Sequence, residues 1–68
     1  MNNYMFSLAD PFTFETAELF KGKRVYVTVV DSGLIHTYDG VLQPLTKGMT
    51  RVGEDDLFNE CIFQLKVQ

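Results

Sequence analysis

Lys23-Arg24-Val25-Tyr26-Val27-Thr28-Val29-Val30-Asp31-Ser32-Gly33 is the stretch whose reading decides the fold. Val25, Val27 and Val29 fall on one side of an extended chain, and Arg24, Tyr26, Thr28 and Val30 on the other. β-Branched and aromatic residues dominate, as a pleated surface favours, so residues 23–31 read as a strand. Asp31-Ser32-Gly33 supplies turn residues, with Gly33 free to take positive φ. Leu34 to Gln43 then reads as the returning strand of a hairpin. Gly40 inside it marks a bend, a bulge or a close approach of backbone.

Downstream of the hairpin, Pro44 is expected to end the returning strand and Lys47-Gly48 to form a turn. Met49 to Val52 reads as a short strand before Gly53, and Glu54-Asp55-Asp56 as an acidic turn. From Phe58 to Val67 the pattern alternates: Cys61, Phe63, Leu65 and Val67 face one way, Ile62, Gln64 and Lys66 the other. Upstream, Asp10-Pro11 is a helix-start signal, since Asp can cap free N–H groups and Pro suits the first helical position. The spacing predicts a helix over 11–21 with Phe12, Thr16, Leu19 and Phe20 on one face and Gly22 closing it. Phe12, Phe14 and Thr16 also alternate, so a strand over this stretch stays open as a second reading. Residues 1–9 read as an N-terminal arm or an edge strand, with Tyr4, Phe6 and Leu8 on one side. The fold class that follows is mainly β: one short N-terminal helix, then four to five strands in a small barrel or curved antiparallel sheet.

Gly22-Lys23-Arg24-Val25-Tyr26-Val27, Asp31-Ser32-Gly33 and Tyr38-Asp39-Gly40-Val41-Leu42 together resemble the first half of Sm-like proteins, and more broadly SH3-like small barrels. The resemblance spans residues 22–43, about a third of the chain. It implies a short helix before a strand that begins near a Gly, and a second strand bent at an internal Gly so that a small barrel can curve. The functional loops depart from the family. Pro44-Leu45-Thr46-Lys47-Gly48-Met49-Thr50 stands where an Asp followed closely by a Met-Asn type pair is usual. The stretch from Glu54 to Phe63 is acidic or apolar where an Arg-Gly or Lys-His type pair is usual. The resemblance therefore implies the fold and leaves out the RNA-contacting residues.

The 68 residues leave room for one domain, 1–68. A domain this small buries only about 60% of its unfolded surface, so it leans on disulfides, metals or association. Cys61 is the only cysteine, which excludes an internal disulfide. No Cys/His cluster offers a zinc site, and neither metal nor cofactor is expected. The remaining supports are a dense core, a homo-oligomer or a partner. Hydrophobic residues make up 46% of the chain, including six Phe and three Tyr, which is enough for a core. A formal charge of −3 argues against indiscriminate binding to nucleic acid. No run approaches the roughly 18 apolar residues of a membrane span, and Met1 to Met5 lacks the basic start of a signal peptide. With one unpaired cysteine, the expected location is the reducing cytoplasm.

His36, Asp39 and Cys61 are residue types a thiol hydrolase uses. Cys61 shares its strand face with Phe63, Leu65 and Val67, however, and reads as a small buried hydrophobe. His36 sits mid-strand, and so short a chain leaves little room for a substrate pocket, so no catalysis is expected. Glu54, Asp55, Asp56 and Glu60 form an acidic cluster. It reads as a solvated turn that discourages edge pairing, or as a surface docking on a basic partner. An EF-hand is excluded, for the central Gly is missing. Lys21, Lys23 and Arg24 could touch phosphate or complement a helix end. Tyr4, Phe6 and Phe14 divide between core and partner anchors.

The functional expectation is a small non-catalytic protein-binding module. It would be an inhibitor or adaptor of the kind phages and mobile elements direct at a larger host protein, using Tyr4, Phe6, Phe14, Glu54, Asp55 and Asp56. The alternative is an Sm-like oligomer that binds RNA through Lys21, Lys23 and Arg24.

Overall fold

The computed structural model describes residues 3–68. The first two positions of the expected arm, 1–2, lie outside it. Along the chain come β1 (Asn3–Met5), α1 (Phe14–Leu19), β2 (Arg24–Asp31), β3 (Leu34–Thr46), β4 (Met49–Val52) and β5 (Asp55–Phe58). A single 3-10 turn (Asn59–Cys61) leads into β6 (Ile62–Val67). All strand pairs are antiparallel, in the order β1-β6-β2-β3-β4-β5. The chain is therefore mainly β, with six strands rather than the expected four to five. Beyond the four strands read after the helix stand β1, offered as an arm or edge strand, and β5, where Asp55 and Asp56 were expected in an acidic turn. The sheet stays open, with β1 and β5 at its two edges, so no barrel is closed.

The β2–β3 hairpin follows the sequence reading. Asp31 pairs with Leu34, leaving Ser32 and Gly33 as a two-residue loop with φ of 53° and 80°. Two positive φ values define the turn whose twist matches that of the flanking strands. Val25, Val27 and Val29 are buried as their alternation requires.

β3 is long because it serves two sets of neighbours. Leu34 to Val41 pairs with β2, and Leu42 to Thr46 pairs with β4. The handover falls at Gly40, where two backbones nearly touch. A Cβ on Gly40 (φ 146°) would lie 2.6 Å from the Cα of Gly53. Pro44 does not end the strand. Leu42 turns its N–H and C=O toward Lys23 and Gly22, on the β2 side. By the two-residue alternation Pro44 faces that same side, beyond the end of β2, where no N–H is required.

The helix is shorter than predicted. It starts at Phe14, capped by Thr13, whose Oγ1 accepts from the Thr16 N–H at 3.2 Å. Asp10 is instead committed to a turn in which it and Ser7 exchange backbone hydrogen bonds of 3.0 and 3.1 Å. The following proline disfavours helical geometry at Asp10. Leu19, expected on the buried face, is exposed, while Ala17 and Phe20 are buried. Gly22 (φ 80°) works beyond the helix: its N–H donates to the Leu42 C=O, and Leu42 N–H donates to the Lys23 C=O. Two residues facing one, with Gly first in positive φ, make a bulge that turns the chain into β2.

The alternation expected for Phe58 to Val67 breaks at Phe63. Thr28 pairs with Gln64 and Val29 with Ile62, so Phe63 is an extra residue in a bulge. The slip places Ile62 and Leu65 together in the core although they were assigned to opposite faces. The core comprises Phe12, Ala17, Phe20, the three valines of β2, Leu42, Val52, Leu57, Ile62 and Leu65. Burying each large side chain contributes roughly 1.5–3 kcal/mol. No helix is long and apolar enough to cross a membrane.

Candidate functional site

Pro11, Phe12 and Thr13 lead into α1, with Phe12 turned into the core. A hollow opens on either side of this connection. One, of about 550 Å³, is lined by Phe14 and Glu15 on one wall and by Lys47, Gly48, Phe58 and Asn59 on the other. The second, of about 370 Å³, is lined by Phe6, Leu8, Val30, Cys61 and Phe63 among others. Pro11, Phe12 and Glu60 belong to both and form the shared ridge. Hollows of this size were not anticipated from so short a chain.

The floor of the larger hollow is fixed by a buried polar network. Thr50 Oγ1 donates to Asn59 Oδ1 at 2.6 Å, and Asn59 Nδ2 donates to the Lys47 carbonyl at 3.1 Å. The Asn59 N–H also donates to the Gly48 carbonyl at 2.9 Å. Thr50 and Asn59 are both buried, and no buried side-chain polar atom among the described residues lacks a partner. The network ties the 3-10 turn to the β3–β4 hairpin and sets where Phe58 and Glu60 stand.

Of the residues singled out from the sequence, Phe6 and Phe14 come to this face, one in each hollow. Both are half-buried. Phe6 meets Phe12 edge to face, with ring centroids 5.1 Å apart. Tyr4 packs the same way on Phe20 at 5.0 Å and lines neither hollow. Glu54, Asp55 and Asp56 are exposed, but only Glu54 lies in the turn; Asp55 and Asp56 open β5. Glu60 lies in the 3-10 turn beyond the far end of β5, a strand about 10 Å long, so the four acids do not form one cluster. Asp56 is engaged by Arg51 through bonds of 2.6 and 3.2 Å. The Arg51 hydrogen bond holds the Asp56 carboxyl below its usual range. Both partners are exposed, so the pair adds little stability.

Lys21, Lys23 and Arg24 are exposed around the link from α1 to β2. Lys21 lies two residues past the last helical residue, outside the final turn. His36 and Asp39 point to opposite faces of β3, because their cross-strand partners are Val29 and Tyr26 respectively. His36 and Ile62 both pair with Val29, which places Ile62, beside Cys61, two strand spacings from His36, about 9–10 Å. Burial, then Asp31 and Glu60, push the Cys61 thiol up from its ordinary value, which disfavours thiolate. The three residues thus do not converge. Among the described residues no group of three or more His, Cys, Asp and Glu is placed to hold a metal ion.

Pro11, Phe58 and Asn59 went unrecognised in the sequence as parts of a site. Phe58 is 57% exposed, a large aromatic left uncovered, but the sequence shows only a hydrophobic residue beginning a strand-like run. No protein-family model, curated protein or solved structure matches the chain.

Proposed function

We propose that the protein is a non-catalytic protein-binding module and that the two-hollow face receives a segment of its partner. The observation that carries this is the arrangement of aromatics. Phe6 and Phe14 are half-buried on either side of one ridge, with exposed Phe58 and Leu8 at the margins. Aromatic side chains held in place beside hollows are the usual anchors of protein interfaces, since they bury large area at small entropic cost. Glu15 and Glu60 border the same face, which favours a partner segment carrying apolar residues beside Lys or Arg. The likeness to SH3-like and Sm-like barrels belongs to this proposal too. It is supported by α1 preceding β2, by the bend at Gly40, and by β6 returning beside β2 after the run β2 to β5.

The test is affinity capture from the source cells with the wild-type chain and a Phe14→Ser/Phe58→Ser variant whose melting temperature is checked first. The proposal expects one protein retained in stoichiometric amount by the wild type and lost by the variant. Equal retention by both would refute the assignment of the face. RNA binding is the second reading, because Lys21, Lys23 and Arg24 lie together around the α1–β2 link. It predicts salt-sensitive RNA affinity that falls when these three are replaced by Gln.

A further inference from the structure

We infer that the outer edge of the first half of β3 pairs with the same edge of a second copy, forming an antiparallel two-fold dimer. This inference is independent of the proposed function. β3 hydrogen-bonds to β2 over Leu34 to Val41 and reaches β4 only from Leu42, so over its first half one edge has no neighbour. Leu42 directs its backbone groups toward the β2 side, and the Asp31–Leu34 pair closes the two-residue turn. Both ends give the same alternation: Leu34, His36 and Tyr38 bond inward, while Ile35, Thr37 and Asp39 turn outward. The Asp39 carbonyl is already covered, since a Cβ on Gly53 would lie 2.9 Å from it. The free groups are then the N–H and C=O of Ile35 and of Thr37, with the Asp39 N–H beyond them.

That set is self-complementary. A two-fold axis at His36 sets Ile35 opposite Thr37 of the second copy, and Thr37 opposite its Ile35. Two hydrogen-bonded pairs result, in which the N–H and C=O of both Ile35 and Thr37 find partners. A two-fold at Thr37 would need the covered Asp39 carbonyl. Leu34-Ile35-His36-Thr37-Tyr38 contains no Lys, Asp, Glu or Pro, so no like charges meet and no donor is missing. Leu34 and Ile35 are 62% and 66% exposed at this edge, and the axis at His36 brings Leu34 opposite Tyr38 of the second copy. The other two edges differ: β1 has three residues, and β5 begins with Asp55 and Asp56. Short or charged edges resist pairing, whereas an uncharged apolar edge invites it.

The experiment is sedimentation of the full chain over a concentration series reaching the millimolar range, with Thr37→Pro and Ile35→Lys variants. Thr37→Pro deletes an outward N–H that no intrachain bond uses, and melting of the dilute variant verifies that the fold survives. The expected result is a wild-type species of twice 7.8 kDa, with each variant raising the dissociation constant by about tenfold or more. A wild type that stays monomeric throughout overturns the inference. So does a dimer that both folded variants leave unchanged, which would place the contact elsewhere.

Discussion

Replacing Gly40 with Ala tests the crossing on which the whole sheet geometry depends. At φ 146° an L-residue is held in a region that side chains rarely adopt, a strain of about 1–3 kcal/mol. The new Cβ would stand 2.6 Å from the Gly53 Cα and 2.7 Å from its nitrogen. Those neighbours are backbone and cannot rotate away, so β3 and the β4–β5 turn must separate. Forced overpacking of this kind costs about 1–3 kcal/mol more. Together Gly40→Ala should lose about 2–6 kcal/mol, a large part of the 5–15 kcal/mol typical of a whole domain. Urea unfolding followed by far-ultraviolet circular dichroism reads this as a fall in midpoint at constant slope. Gly48→Ala is the control, because Gly48 has no positive φ and open space around it; it should stay within about 0.5 kcal/mol of wild type. A Gly40→Ala midpoint equal to that of the control would refute the close crossing, and with it the handover of β3 from β2 to β4.

Asn59→Ala should cost about 1–3 kcal/mol in the same assay, since the buried Thr50 hydroxyl loses its acceptor and the Lys47 carbonyl a donor. A double change with Thr50→Val should cost less than the sum of the two single changes, because the pair is removed together. The Asp56 carboxyl, depressed by its bond from Arg51, contributes stability that is present above its unfolded value near 3.8 and is lost as pH falls through its lower folded value. The Arg51→Gln variant should therefore lose a small part of its acid sensitivity below about pH 4, a difference readable in thermal melts from pH 2 to 5. Alkylation of Cys61 by iodoacetamide at neutral pH should run slower than that of a free cysteine peptide and catch up in urea; equal rates in the folded chain would contradict a thiol held above its ordinary value.

The β2–β3 hairpin was legible because its signals are local. Val25, Val27 and Val29 repeat at the strand period, and Ser32-Gly33 fits a turn that requires two positive φ values. Gly40 was legible as a backbone contact, though its partner Gly53 was not, for nothing in a sequence shows two distant glycines facing each other. The helix start was misplaced because Asp10-Pro11 satisfies the rules for a cap equally well in a turn. Phe12 is buried in the core, and Thr13 takes the cap for a helix that starts at Phe14. The bulge at Phe63 was hidden, since a single inserted residue leaves an alternating sequence looking regular while reversing its faces. At the candidate site, Phe6 and Phe14 stood out as surplus aromatics. Phe58 and Glu60, which flank Asn59, join them only through its network of bonds to Lys47 and Gly48.

Whether a partner protein sits on the two-hollow face is decided by photo-crosslinking in the source cells. A benzophenone amino acid would replace Phe58 in one sample and Leu19, more exposed still but lining neither hollow, in another. The account predicts one discrete heavier adduct from position 58 and none from position 19. The same adduct from both positions, or none from position 58 while position 19 reacts, would contradict it.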